Sequence, residues 1–328
     1  MKALVLVEPF KLVVEDREAP KPKSGEVVVK VDTCTIAGTD LRIYAGVVKV
    51  KLPLILGQEF AGLVEEIGEG VEGFNRGDKV AVEPVLSCGF CRYCRRGLYT
   101  LCEQLKVMGV SADGGMSQYV KVPAAVLHKV PESLSLEEAA LTTPTAVALY
   151  AVEKADVHVG EDVVVFGAGA IGLSAVQLLK LRGAGEVVVV EIDEAKRSTA
   201  LKLGADKAIA PEEVDQAVKK PPAKVLETTG SVPALRKALE IVGKAGRLVV
   251  VGAYGREANL PPDLIVRKDL DVRGSWLYPH AFNISLSLIA KGKVKVKDYV
   301  KARYPLEQAE QAFKEAAQPD VVRVALKP

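Results

Sequence analysis

Residues 1 to 35 alternate apolar and polar positions between Pro and Gly breaks, as at Val27 to Val31 after Pro22 and Gly25. A period of two turns successive side chains in and out of a half-buried strand. The pattern returns at Gly62 to Ile67, Lys79 to Glu83 and Tyr119 to Val122, separated by turns such as Glu69-Gly70 and Arg76-Gly77-Asp78. Antiparallel strands of this kind predict a small β-rich domain, followed by a helical stretch from Leu136 to Val152.

From Val163 unbroken apolar runs alternate with helical stretches of about ten residues. Such runs belong to strands buried on both faces, and their spacing calls for right-handed crossovers and a parallel sheet. The strands predicted are 163 to 166, 187 to 190, 207 to 209, 224 to 228, 247 to 251 and 270 to 274. Gly204 and Gly243 stand where helix ends take a left-handed residue, and Pro221-Pro222 marks a loop. Beyond Trp276, helices at Asn283 to Ala290 and Leu306 to Ala316 and a strand at Val321 to Leu326 are expected to return to the first domain. The fold class is α/β, a β-rich domain joined to a doubly wound parallel-sheet domain.

A chain of 328 residues, 49% hydrophobic, can fill two cores. Lys plus Arg at 44 against Asp plus Glu at 42 leaves a net charge of +2, and no basic block stands out for a phosphate backbone, so nucleic acid is not an expected partner. The opening run MKALVLVEPFKLVVED is too short in apolar residues for a signal peptide, and no segment approaches the ~20 apolar residues that cross a bilayer. A cytoplasmic protein with no membrane partner is expected. Three asparagines among many Glu, Lys and Val match the bias of heat-adapted proteins.

Asp162 to Lys180 reads strand, glycine turn, helix. Gly167 allows the tight turn, Gly169 lets backbone amides approach a pyrophosphate, and Gly172 lets the helix pack on the strand. The helix start, Ala170 and Ile171, then faces the phosphates. Glu191 closes the next strand nineteen residues beyond Gly172, where an acid hydrogen-bonds the adenosine ribose. The competing reading is a glycine-rich crossover of an ordinary α/β domain. Glu191 repels a 2′-phosphate, whereas Lys196 and Arg197 are positioned to pair with one, so both NAD and NADP stay open.

Four of the five cysteines, Cys88, Cys91, Cys94 and Cys102, are spaced C-x2-C-x2-C-x7-C in a lobe of about residues 86–104. Four thiolates suit tetrahedral zinc; an iron–sulfur cluster is the rival, but its fourth cysteine follows after three residues and precedes proline. A closed four-cysteine site leaves no coordination position for substrate, so one structural zinc per chain is expected.

These features together resemble the medium-chain, zinc-containing alcohol dehydrogenases over essentially the whole chain, through AGTDLRIYAG, LPLILGQEFAGLVEEIG, GDKVAVEP, the cysteine lobe and the glycine motif. The resemblance implies a GroES-like catalytic domain of residues 1–144 and 280–328, a Rossmann domain of residues 145–279, and a substrate cleft at their junction. It implies cofactor contacts from Gly252, Ser275 and Leu277, an arginine, Arg323, on the pyrophosphate, and a homo-oligomer (dimer or tetramer) built on the open edge strand 270 to 274.

Three positions depart from the family. Ala37 replaces the cysteine of a C-G-T-D segment, Gln58 the histidine of G-H-E, and Thr143 stands where relatives carry an acid or cysteine. Arg42 replaces a relay histidine. Catalytic zinc needs three protein ligands, and these side chains offer no imidazole or thiolate. Thr39 and Asp40 remain as catalytic candidates; Glu59 and Asp40 read as supporting hydrogen-bond and ion-pair groups, and Cys34 as a buried thiol. His128 and His158 read as turn residues, His280 as a conceivable acid at the junction, Trp276 and Tyr278 as pocket or core. The leading function is hydride transfer between NAD(P)H and a small-molecule carbonyl, alcohol or activated alkene without catalytic zinc, poor on simple alcohols and inclined to bulky ketones. A catalytically silent cofactor-binding protein is the runner-up, and a zinc enzyme with unfamiliar ligands the third.

Overall fold

The strand predicted at Val27 to Val31 extends over Glu26–Thr35, and a seven-stranded sheet is assembled around it. Along this sheet lie Leu127–Lys129, Lys79–Val82, Glu59–Ile67, Glu26–Thr35, Arg323–Lys327 and Val300–Pro305, while Tyr119–Pro123 also pairs with Glu26–Thr35. Burial explains the placement: Val27, Val29 and Val31 point into a core with Phe60, Met116 and Phe313, all 3% exposed or less. A three-stranded sheet of Lys11–Asp16, Lys2–Glu8 and Leu54–Ile55 closes the same core.

The computed structural model describes residues 1–255 and 257–328. The chain divides into two compact units, one of Met1–Thr143, Phe282–Gly292 and Val296–Pro328, the other of Pro144–Ala281 and Lys293–Lys295. The second unit is the parallel sheet, ordered Lys207–Ile209, Val187–Val190, Val163–Phe166, Lys224–Glu227, Arg247–Val250, Asp271–Gly274. Its central strands, Val163–Phe166 and Val187–Val190, are buried at every position, as the unbroken apolar runs require. Among the described residues, no helix is long and apolar enough to cross a membrane.

Local expectations failed in places. The helical stretch expected over Leu136 to Val152 is present, divided into two helices, Leu136–Ala140 and Thr142–Ala155. Pro144 lacks the N–H that would bond to Ala140, so the ladder cannot continue through the junction. Gly204 is left-handed, with φ +105°, but Gly243 is not; the left-handed residue of that turn is Ala245, φ +54°, whose N–H donates to the Lys268 carbonyl at 2.7 Å. His128 lies in the strand Leu127–Lys129, not in a turn.

Candidate functional site

The order of the parallel sheet reverses at Val163–Phe166, which has Val187–Val190 on one side and Lys224–Glu227 on the other. Strand order that reverses opens a crevice at the carboxyl ends of the strands. Gly167 begins the turn there with φ +100°, and a side chain on it would lie 2.8 Å from Thr228 Oγ1. A Cβ on Gly172 would sit 1.9 Å from the Gly167 carbonyl oxygen, so the helix Ala170–Leu181 packs on the turn only as glycine. Gly169, the residue before that helix, has nothing within 4 Å of its Cβ direction. Ala170 is buried and Ile171 half-buried at the helix start, the end of a helix that favours negative charge.

Glu191 follows the Val187–Val190 strand. Its Oε2 accepts the Ala168 N–H at 2.7 Å and its Oε1 the Asp193 N–H at 3.1 Å, so the acid is fixed beside the glycine turn. Arg197 Nη1 donates to the carbonyls of Glu191 and Ile192, both at 2.8 Å. Lys196 donates its backbone N–H to Asp193, the cap of the helix Glu194–Lys202.

Glu227 was missed in the sequence, although it closes an apolar strand as Glu191 does. It is 0% exposed, and Oε1 accepts the N–H groups of Thr229 at 2.7 Å and Gly230 at 3.1 Å, with the hydroxyls of Thr229 and Tyr254 donating as well. Gly252 packs against this cluster, where a Cβ would lie 2.1 Å from the Gly230 nitrogen. Ser275 is fixed by its N–H on the Val250 carbonyl at 2.8 Å, and its hydroxyl is buried without a hydrogen-bond partner among the described residues. Leu277 holds a left-handed backbone, φ +53°, a strained state for a branched residue. Tyr278 is core at 0% exposure, whereas Trp276 is 55% exposed.

In the first unit, Ala37 precedes the helix Gly38–Tyr44, Thr39 is half-buried in its first turn, and Asp40 is 0% exposed. The Asp40 carboxylate accepts the Ala37 N–H at 2.8 Å and the Gly57 N–H at 3.1 Å. Asp40 is thereby corrected from a catalytic candidate to a clasp that holds the Ala37 and Gly57 segments together, because a fully buried carboxylate with both oxygens engaged cannot touch substrate. Burial pushes it up to about 7; the two amide donors and Arg323 pull the other way and do not offset the desolvation. Thr143 Oγ1 donates to the Gln58 carbonyl at 3.3 Å.

Arg323 also needs correction. It is not free for a pyrophosphate: Nε and Nη2 grip the Glu59 carboxylate at 2.8 and 2.9 Å, and Nη1 donates to the Val322 carbonyl at 2.8 Å. Its strand lies inside the sheet, which buries the pair. Cys34 is a fully buried thiol, pushed well up by desolvation. His128 Nε2 is 3.1 Å from Glu83 Oε2, and the ring packs on Phe282 with centroids 4.6 Å apart; His158 and His280 are exposed.

The sulfur atoms of Cys88, Cys91, Cys94 and Cys102 lie within 4.8 Å of one another, with Cys91–Cys94 at 3.5 Å and Cys88–Cys94 at 3.9 Å. Four sulfurs about 2.3 Å from a tetrahedral zinc stand about 3.8 Å apart, so the set fits that ion, and the separations are far too long for a disulfide. Backbone N–H groups of Cys88 and Gln104 point at Cys102 Sγ, at 3.2 and 3.3 Å. Among the described residues this is the one place where three or more His, Cys, Asp or Glu side chains converge closely enough to hold a metal.

Two family models match: an alcohol dehydrogenase GroES-like domain over residues 23–132 and a zinc-binding dehydrogenase domain over residues 170–291. The 2-dehydro-3-deoxy-L-galactonate 5-dehydrogenase of Pseudoalteromonas atlantica is 35% identical over 310 residues, 92% of this chain and 90% of that protein. The chain belongs to the zinc-type, medium-chain alcohol dehydrogenase family. Among solved structures, the rspB alcohol dehydrogenase of Escherichia coli CFT073, complexed with NADH, superposes with TM-score 0.94 at 31% identity, covering 100% of this chain and 99% of that one. A Sinorhizobium meliloti 1021 protein bound to NADP does so with TM-score 0.93 at 29% identity over 100% and 99%. This dehydrogenase is therefore an NAD(P)-dependent oxidoreductase of a zinc-binding family, with a cysteine lobe that could hold a structural zinc.

Two outcomes follow for the dehydrogenase. Chelation, or Cys88→Ser, is expected to lower the melting temperature while leaving NADH affinity of the still-folded protein nearly unchanged, since structural zinc binding feeds folding, on the order of 10 kcal/mol in isolated fingers and less beside an existing core. Equal melting with and without chelator would refute it. For Asp40, the raised native pKa means stability is fully present below the unfolded value of about 3.9 and is lost as pH rises through about 7. Relative to Asp40→Asn, the wild-type unfolding free energy in urea should fall by about 2–4 kcal/mol between pH 4 and 7 and then level off. A difference independent of pH would mean that Asp40 is charged throughout.

Proposed function

We propose that this dehydrogenase transfers hydride between a nicotinamide cofactor and a carbonyl substrate without catalytic zinc. The observation that carries the reading is the chemistry at residues 37, 58 and 143: a methyl, an amide and a hydroxyl already bonded to the Gln58 carbonyl. Neighbouring carboxylates are poor substitutes, because Glu59 is spent on Arg323 and Asp40 on two backbone amides. The bound nicotinamide supplies or takes the hydride. Charge developing on the substrate oxygen is then met by a neutral donor, the half-buried Thr39 hydroxyl. A neutral hydroxyl can donate to a carbonyl during reduction but is a poor base for deprotonating an alcohol, so reduction is the easier direction. The sugar-acid relative supports a bulky, hydroxylated ketone as substrate. NAD is favoured over NADP, because Glu191 is fixed beside the turn and Arg197 is occupied by carbonyl groups.

The expected outcome is that NADH supports ketone reduction better than NADPH, while ethanol oxidation is very slow. Ala37→Cys, Gln58→His and Thr143→Glu together should raise the zinc content from one to two per chain and bring in alcohol oxidation. Brisk ethanol oxidation by the wild type, undiminished by chelator, would overturn the reading.

The protein is further proposed to be a homo-oligomer. Asp271–Gly274 is an edge strand of the parallel sheet, with Val272 41% exposed on it, and an open edge invites a two-fold mate. Light scattering at micromolar protein should give a dimer or tetramer mass; a monomer would remove the idea.

A further inference from the structure

The near-neutral net charge hides a local concentration of cations. Lys291, Lys293, Lys295 and Lys297 alternate with Gly292, Val294 and Val296, and both valines are 1% exposed, so the period of two anchors the backbone by its apolar residues and leaves the lysines exposed. Within the parallel-sheet unit, Lys293 and Lys295 join Lys180 and Lys202 around a cavity of about 300 Å³, completed by Gln177, Leu181 and Leu203. Among the described residues, no carboxylate lines it.

The four lysines are not equivalent. Lys180 and Lys202 lie in the last turns of their helices, where a cation offsets the carbonyl end. Lys180 is also bound to Asp206 at 2.9 Å. Lys293 and Lys295 belong to neither helix and form no ion pair among the described residues. Their segment is held in place: the Lys295 N–H donates to Gln177 Oε1 at 2.7 Å, and Gln177 Nε2 donates to the Lys295 carbonyl at 3.0 Å. Gln177 is only 7% exposed, so a buried side chain clamps the lysine segment to the helix Ala170–Leu181. Lys202, Lys293 and Lys295 take part in no ion pair among the described residues, so three like charges face one concavity and favour an anion there.

We propose that this cavity binds a small di- or triphosphate anion. Lysine ammoniums act as point-charge donors to phosphate oxygens, and the volume matches the small end of ligand cavities, about 300–1,000 Å³. The site is separate from the dinucleotide turn, since Lys180 and Leu181 end the helix that Ala170 begins, roughly 16 Å away along its axis at ~1.5 Å per residue.

The test is calorimetric titration of the intact protein, saturated with NADH so that the glycine turn is filled, with sodium tripolyphosphate in magnesium-free buffer at low ionic strength. Wild type should bind one equivalent, more weakly as salt rises. Lys293→Gln/Lys295→Gln should bind about tenfold or more weakly, the loss expected when two charge-assisted contacts go, with NADH affinity and melting temperature unchanged. Lys202→Gln, on a separate helix, provides an independent second variant and should also weaken binding. Equal affinity in wild type and variants, or no binding by wild type, would overturn the proposal. So would tighter binding of a single-stranded oligonucleotide through the same lysines, because the surface would then recognise a nucleic-acid backbone.

Discussion

The ion pair between Arg323 and Glu59 joins residues 264 positions apart in the chain, and the first unit depends on it. Both side chains are nearly excluded from water, at 9% and 3% exposure. Burying two ions costs several kcal/mol each, and that cost is recovered only when the geometry is good and the remaining hydrogen-bond capacity is filled. Here the pair is bidentate, Thr35 Oγ1 donates to Glu59 Oε2 at 2.6 Å, and the third guanidinium nitrogen meets a backbone carbonyl. The C-terminal strand is therefore held between Glu26–Thr35 and Val300–Pro305 by charge as well as by sheet pairing, and the polypeptide must return to its own beginning after building the parallel sheet.

Carboxylates organise the second unit in a different way. Glu191 follows one strand and Glu227 ends another, on either side of Val163–Phe166; Glu227 gathers the Thr229 and Gly230 N–H groups of the turn beyond it, whereas Glu191 takes Asp193 from its own turn and Ala168 from the glycine turn. The glycines act by absence of volume: Gly172 could not carry even a methyl without meeting Gly167, and Gly252 could not without meeting Gly230. Fixed acids and missing side chains together shape the crevice walls before any cofactor binds.

Patterns spanning several residues were the legible part of the sequence. Four-residue runs of valine and phenylalanine favour buried strands, and Val163–Phe166 and Val187–Val190 have the predicted bounds. Cysteine spacing likewise fixes a lobe, because four sulfurs so close in sequence have few ways to lie apart. Illegible were features decided by a distant partner. Nothing near Arg323 in sequence announces Glu59, and nothing near Asp40 announces that the Gly57 amide will close over it. Gly243 misled because a glycine permits a left-handed backbone without requiring it; the strain fell on Ala245. Glu227 could have been found from the Lys224–Glu227 run, an apolar strand ending in an acid, had the signal used for Glu191 been applied twice.

The cysteine lobe is best explained by what it lacks. Within residues 86–104 only Cys91, Thr100 and Cys102 are buried, while Phe90 and Leu101 are 60% and 45% exposed. A segment with so little apolar burial cannot offset the backbone entropy of its own ordering, roughly 1–2 kcal/mol per residue. It is tied to the rest of the unit by the short pairing of Val85–Leu86 with Lys106–Val107 and by the Tyr99 hydroxyl on Glu83 at 2.8 Å. A four-thiolate metal site supplies the cross-link that a core would otherwise provide. That need is independent of what happens to a substrate, so a chain with Ala37, Gln58 and Thr143 still has physical reason to keep all four cysteines.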